Sequence, residues 1–385
     1  MNWVCPKERQ MERCENMFTL ALYGAGNRTK ALINSLLFDG HYKIHSVYDL
    51  NPGAAKALAE EYNCKFCSTP EDLIASGADA FLISLSPFAH AQALRETIPL
   101  GKPIFVEKPV SFSSQELLEL KLLAEKYHTP VQVGFMRRYL SETLDAFEFM
   151  RENDGGRMFC IDCSWLHHGA TEMNYHLNNS PDNFRLQVSQ IPFHCCHMLD
   201  IILMVGGDLK SVNSQLIKWS DRPYPSPDSC IANFTFANGA NGRFHYSSMS
   251  YYGECAYRFH FENYTLRLAY LGKGLEIFRR PRFKTSEYGP KELAQKDFSL
   301  FNNTYEINCK PQVKEYQFPS IQYANENIMS DFVATVEKGV MPKADLTAAL
   351  KVQGFAEAIE EGGRARKQVI INELGMPVRD QKGNI

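Results

Sequence analysis

The chain has 385 residues, long enough for two domains with substantial cores. Its 44% hydrophobic and 22% charged residues are ordinary globular usage, which excludes a disordered or fibrous protein. A net charge of −3 argues against nucleic acid or an anionic membrane as the main partner, and no stretch approaches the ~20 apolar residues of a membrane span.

Residues 1–17 mix charge and polarity without the apolar core of a signal peptide, and read as an extension. Eleven cysteines, an odd number, without a secretion signal predict reduced thiols in a cytoplasmic protein. From residue 18 onward, strand and helix alternate. FTLALYGAG is an apolar strand entering a glycine turn, and NRTKALINSLLFDG has helical spacing. HYKIHSVYDL is a strand ending in Asp49, followed by helix PGAAKALAEEYN and the short strand and turn KFCSTP. Helix EDLIASG, buried strand ADAFLISLS, helix AHAQALRETIPLG and strand KPIFVEKP come next. SSQELLELKLLAEKYH opens with serines suited to an N-cap, and PVQVGF closes the series. This alternation predicts an α/β Rossmann domain, a doubly wound parallel sheet, over residues 18–138.

Beyond Arg138 the pattern changes. After helix SETLDAFEFMREN come longer strands with fewer helices between them: RMFCIDCSWLH, LKSVNSQLIKW, SCIANFTFA, GRFHYSSMS, YRFHFENYTLRLAYL and GLEIFRR. Asn238, Gly239, Asn241 and Gly242 mark a hairpin. Residues 139–385 are therefore expected to form an α+β domain on a large, open, mostly antiparallel sheet, closing with helices ANENIMSDFVATVEKG and DLTAALKVQGFAEAIEEGGR.

The stretch IPFHCCHMLD raises zinc, as do the C-x-x-C pairs Cys64/Cys67 and Cys160/Cys163. Both pairs sit beside or within strands, where residues three apart point to opposite faces, and successive residues of a helix diverge. No metal is expected; the cysteines read as packing residues.

Gly24-Ala25-Gly26-Asn27-Arg28-Thr29 lies at a strand–helix junction. Gly24 permits a tight turn, and Gly26 lets the backbone approach a pyrophosphate at the helix N-terminus. Thr29 occupies the place of the third glycine. Asp49 ends the second strand, where a carboxylate bonds ribose hydroxyls and repels a 2′-phosphate. NAD is therefore expected over NADP. Glu107-Lys108-Pro109 ends another strand of the same sheet, where side chains should face the cofactor crevice. Alone it would be an ordinary surface Glu–Lys pair, but a lysine at that place is suited to moving a proton.

Taken together these segments resemble the Gfo/Idh/MocA oxidoreductases over nearly all of the chain after residue 17. FLISLSPFAHAQALRETIPLGKPIFVEKPVS is similar to the family's run, carrying His90, Gly101, Lys102 and Glu107 to Pro109. VGFMRRY resembles the crossing into the second domain, and HMLDIILMVGG the family's H-x-x-D helix. The resemblance implies a sugar, cyclitol or polyol dehydrogenase. Gly24, Gly26, Asn27, Arg28, Asp49, Ser84, Leu85, His90, Glu107, Lys108 and Arg137 would hold the cofactor. Lys108 and His197 would flank the reacting carbon, with Asp200 orienting His197; by itself His197 would be a core histidine. His167, His168, Tyr175, His176, Asn183, Arg185 and His194 would face the substrate.

The sequence departs from the family where an aspartate is usual, at Phe193. On one continuous helix His194 would be turned about 100° from that place, so replacing the aspartate requires a local shift. An NAD-dependent glycosidase or lyase that oxidises its sugar transiently, and a non-catalytic NAD or sugar sensor, stay open beside simple dehydrogenation. The open sheet is expected to be covered by a second copy, in a homodimer or homotetramer.

Overall fold

FTLALY is apolar at almost every position because a central parallel strand is covered on both faces. It forms β1 (Phe18–Tyr23) of the computed structural model, which describes residues 17–36, 42–168, 189–220, 226–270, 274–279, 312–314, 320–383 and 385. With β2 (Tyr42–Tyr48), β3 (Lys65–Phe66), β4 (Ala80–Ile83), β5 (Ile104–Val106) and β6 (Val131–Val133) it makes a six-stranded sheet in the order β3-β2-β1-β4-β5-β6. Every pair is parallel. Strand order reverses between β1 and β4, and ligands of such sheets bind outside the carboxyl ends at that point.

Helices α1 (Asn27–Leu36), α2 (Pro52–Glu61), α3 (Pro70–Ile74), α4 (Pro87–Thr97) and α5 (Ser114–Lys126) connect the strands. Their starts are written locally. Asn51 and Thr69 cap α2 and α3, each followed by proline at a place where no N–H is needed. Ser113 caps α5 by accepting from the Glu116 amide at 3.3 Å. Each such cap contributes about 1 kcal/mol.

After α6 (Ser141–Glu152) come β7 (Met158–His168), α7 (Gln190–Phe193), α8 (Cys196–Gly206) and the strands β8 (Leu209–Ile217), β9 (Ser229–Phe236), β10 (Asn241–Ser247), β11 (Met249–Phe261), β12 (Tyr264–Ala269), β13 (Leu275–Arg279) and β14 (Gln312–Lys314). With β15 (Val369–Ile370) they form a nine-stranded sheet, β14-β13-β12-β11-β7-β10-β9-β8-β15. All pairs are antiparallel except β7 with β10. One face buries Phe234, Phe244, Tyr246, Tyr257 and Phe259, each worth about 1.5–3 kcal/mol of burial. The register aligns Arg243, Asp162, Arg258, Arg267 and Glu276 in one row across five strands. Asp162 accepts from Arg243 at 3.0 Å, and Glu276 from Arg267 at 2.5 Å, so this face is polar.

YRFHFENYTLRLAYL is therefore two strands turning at Glu262–Asn263, not one. The hairpin at Asn238 forms as expected: Gly239 takes φ +89° and Asn238 Oδ1 accepts from the Ala240 amide.

The two last helices are α9 (Ser320–Lys338) and α10 (Leu346–Ala365). The chain forms two units, 1–139 with 321–350, and 140–320 with 351–385. The first unit is thus discontinuous, whereas a single boundary after 138 puts everything later into one domain. Gln132 Nε2 donates to the Ile328 carbonyl at 2.9 Å, and the Tyr139 hydroxyl to Asp331 Oδ2 at 2.6 Å. No described helix is long and apolar enough to cross a membrane.

Candidate functional site

The first unit gathers its functional groups at the carboxyl ends of β1, β2, β4 and β5. Gly24 leaves β1 with φ +118°, a conformation other residues rarely adopt. A Cβ there would lie 2.2 Å from the Ser84 carbonyl oxygen at the end of β4, so glycine is required for this close approach. At Gly26 a Cβ would meet nothing within 4 Å. Open space over a backbone that begins α1 suits an anionic group. Thr29 is buried and its hydroxyl donates to the Gly24 carbonyl at 3.0 Å. The third-glycine position thus holds the turn by a side-chain bond, which the motif alone did not reveal.

Asp49 follows β2. Its Oδ2 accepts from the Ala25 amide at 2.7 Å, and its Oδ1 from the Asn51 amide at 2.7 Å. One carboxylate therefore ties the second strand to the glycine turn, and its remaining lone pairs can accept from hydroxyls. Ser84 is buried, while Leu85 and Arg137 are half-buried and Asn27 is exposed.

Glu107 is 6% exposed. Its Oε1 receives Arg28 Nε at 2.6 Å and its Oε2 the Lys108 amide at 3.2 Å, while its carboxyl group packs on Gly134. Arg28 Nη1 continues to Asn325 Oδ1 of α9 at 2.8 Å. His90 is 1% exposed, with Nδ1 2.8 Å from the Pro109 carbonyl. Glu107, Arg28 and His90 were all expected to line the cofactor. In the structure Glu107, Arg28 Nε and Nη1, and His90 Nδ1 bond protein groups around the Lys108 backbone. Asn325, 297 residues beyond Arg28, carries no sequence signal for this contact.

In the second unit, α7 and α8 are separate helices. The amides of His194 and Cys195 both donate to the Gln190 carbonyl, ending one turn before the next helix starts at Cys196. The continuous helix assumed for residues 193–200 is therefore corrected: His194 and Cys195 form a turn between two helices, although the His194 amide still makes the helical bond to the Gln190 carbonyl. Phe193 is buried against His194, with ring centroids 4.5 Å apart. His197 and Asp200 are both buried and lie on α8. The Met198 sulfur lies 3.2 Å from the Tyr257 hydroxyl, which seats α8 on the sheet.

Trp165 organises the histidines nearby. His167 stacks on it with centroids 4.9 Å apart and planes at 26°, and His194 meets it edge-on at 5.9 Å. Tyr246 lies 5.8 Å from both Trp165 and His167. His168 alternates away along β7 and stacks on Tyr251 at 4.7 Å. The structure so brings His167 and His194 together and parts His168 from them. The i, i+2 spacing of Trp165 and His167 was the signal for this cluster. Tyr175, His176, Asn183 and Arg185 lie outside the described residues.

Cys195 and Cys196 are buried, and Cys196 Sγ donates to the Phe193 carbonyl. On β7, Cys163 faces the buried side and Cys160 is half-exposed. Burial pushes the Cys64 thiol up to about 11 and the Cys230 thiol to about 12, so neither is a ready nucleophile.

Comparison with known proteins agrees with this architecture. A family model described as an oxidoreductase family with an NAD-binding Rossmann fold matches residues 18–135, and the GFO/IDH/MocA C-terminal domain matches 144–267. The rhizopine catabolism protein MocA of Rhizobium meliloti is 25% identical over 252 residues, 59% of this chain and 78% of MocA. An inositol 2-dehydrogenase of Gluconacetobacter diazotrophicus is 33% identical over 108 residues, 27% of this chain and 32% of its own length. The chain thus spans about a third of that relative's length. The WlbA dehydrogenase of Bordetella pertussis, solved with NADH and UDP-GlcNAcA, shares the fold at TM-score 0.74 with 15% identity, over 95% of this chain and 99% of WlbA. With both domain models matched in order, the chain belongs to the Gfo/Idh/MocA family of oxidoreductases and carries its NAD-binding Rossmann domain.

Proposed function

We propose that this chain is an NAD-dependent dehydrogenase acting on a secondary alcohol of a sugar, cyclitol or sugar derivative. The observation that carries the reading is Lys108, placed just past β5 in an NAD-binding sheet and held through Glu107 by the Arg28 ion pair. The nicotinamide, when bound, accepts or returns the hydride. Lys108 gives or takes the hydroxyl proton, a role for which a positioned amine contributes about 10²–10⁴-fold. His197 shares that work, orienting the hydroxyl or exchanging its proton, and Asp200 fixes the imidazole. His194, His167 and His168 are assigned to sugar hydroxyls, as are Tyr175, His176 and Arg185.

Two features support NAD over NADP. The Asp49 carboxylate would repel a 2′-phosphate, and Arg28 already has Glu107 as its counter-ion. Open space at Gly26 fits the pyrophosphate, and the buried, protein-bonded Glu107 leaves Lys108 as the reacting member of its motif. Sugar and cyclitol substrates are favoured by relatives named inositol 2-dehydrogenase and by the UDP-sugar complex of WlbA. The polar sheet row supports a homodimer or homotetramer through that face, and free cysteines such as Cys230 a reducing, cytoplasmic setting.

A panel of sugars and inositols incubated with NAD, read by NADH absorbance, tests the proposal. Turnover by the wild type and its loss in Lys108→Ala is the expected result. A flat wild-type trace, with NAD binding confirmed, rejects simple dehydrogenation. The buried Phe193 favours one second reading, redox-assisted cleavage of a glycoside. That reading predicts substrate consumed with no NADH accumulating.

A further inference from the structure

We propose that His90 is a positioning residue for Lys108, holding the peptide that follows it; the inference rests on the role given to Lys108 above. β5 ends at Val106, and the Glu107 amide still donates to the Ile83 carbonyl at 2.9 Å, one residue before Lys108. Pro109 has no N–H to give. Beyond the ladder, a backbone that must present a reactive side chain needs other partners, since a buried polar group without one costs about 1–3 kcal/mol.

Two side chains supply them. On the near side, Glu107 Oε2 accepts the Lys108 amide at 3.2 Å, and Arg28 fixes Glu107 in turn. On the far side, His90 Nδ1 lies 2.8 Å from the Pro109 carbonyl oxygen. A carbonyl only accepts, so Nδ1 carries the hydrogen and donates it. Burial favours the neutral ring, which has one N–H; the 2.8 Å contact places it on Nδ1 toward Pro109, with the Leu85 carbonyl the other backbone acceptor acting on the ring.

The bond is not local packing. His90 sits in the first turns of α4, the helix that follows β4, and its acceptor lies nineteen residues later at the end of β5. It therefore ties the β4 exit, where Ser84 meets the Gly24 turn, to the segment that carries Lys108. A purely apolar side chain would fill the same volume and leave Lys108 free to shift. The specific content of the proposal is the donor at the Nδ1 position.

Three variants separate that donor from bulk: His90→Leu removes it, His90→Asn places an amide N–H near Nδ1, and His90→Gln places one near Nε2. With a substrate from the panel above, His90→Leu and His90→Gln should lower kcat by about 10–100-fold, the scale of an ångström-sized misplacement, at near wild-type KM and NAD affinity. His90→Asn should restore most of kcat. Amide hydrogen exchange of the Glu107–Ser111 peptide, measured without substrate, should quicken in His90→Leu and His90→Gln and return toward wild type in His90→Asn. Should His90→Leu fail to fold, the Asn-against-Gln comparison carries the test. Equal kcat and equal exchange in Asn and Gln would overturn the proposal. If no polyol is turned over by the wild type, the function assigned to Lys108 fails, and the exchange comparison still decides whether His90 holds the segment.

Discussion

Arg28 Nε lies 2.6 Å from Glu107 Oε1, joining the first turn of α1 to the end of β5. A basic side chain two residues after Gly26 stands near the place where a nucleotide's phosphates are bound. Here its charge is already answered by a carboxylate that is almost fully buried, with α9 holding the other end of the guanidinium through Asn325. The pair therefore fixes the strand end that carries Lys108 and withholds Arg28 from an additional phosphate.

That pairing predicts coupled stability. Replacing Glu107 by Gln keeps a hydrogen-bond acceptor and removes the charge. Arg28 is about a third exposed, so water offsets part of the loss, and the variant should cost about 1–2 kcal/mol. In a double-mutant cycle with Arg28→Gln, denaturant midpoints should show coupling of about 1 kcal/mol. Strict additivity would mean the ion pair contributes nothing to the fold.

The two glycines of the turn should differ in stability, though not in NAD binding, on the same substitution. Gly24→Ala meets both a positive φ and a Cβ position 2.2 Å from the Ser84 carbonyl, so unfolding temperature should drop and NAD binding with it. Gly26→Ala meets open space, so the protein should keep its wild-type unfolding temperature while its methyl obstructs the pyrophosphate. NAD affinity should fall about tenfold or more, equivalent to about 1.4 kcal/mol. Calorimetry together with nucleotide titration separates the cases. Unaltered NAD affinity in Gly26→Ala would remove the pyrophosphate from this turn.

The proposed choice of NAD over NADP rests on Asp49. Asp49→Asn preserves an oxygen for the Ala25 amide and removes the charge that opposes a 2′-phosphate. The proposed preference for NAD over NADP should narrow by about tenfold, again about 1.4 kcal/mol. Competitive binding of the two nucleotides measures it, and an unchanged ratio would locate discrimination elsewhere.

The sheet of the first unit was legible because its strands are continuous apolar runs between capped helices, Asn51, Thr69 and Ser113 marking three starts. The second sheet was legible in kind, through alternating burial, but not in detail. The alternation shifts phase at Glu262–Asn263, where two polar residues stand together, so a two-residue turn leaves only this small mark, and no local pattern encodes the parallel pairing of β7 with β10. Residues 321–350 pack with the first unit through side chains such as Asn325 and Phe332, whose partners are hundreds of residues away. The candidate residues were legible by type. What sequence could not show is burial, which makes Glu107 and His90 holders of the backbone, or the turn at His194–Cys195 that breaks an apparently continuous helix.

Burial also gives the first unit a pH response. The His90 imidazole lies below its ordinary pKa of 6.5 because burial penalises its charged form; the Pro109 and Leu85 carbonyls and the Glu107 charge oppose this, and the Lys108 charge reinforces it. Below about pH 6.5 the unfolded chain binds a proton at this position that the folded chain resists. Its contribution is therefore complete above about 6.5 and declines as pH falls toward the lowered native value, by at most about 1.4 kcal/mol per pH unit. His90→Asn has no proton to gain and should lose that part of the slope. Urea unfolding of both proteins at pH 5.5 and 8 measures the difference: the wild type should lose more stability between the two. Parallel losses in wild type and variant would show that His90 is protonated as readily in the fold as in the unfolded chain.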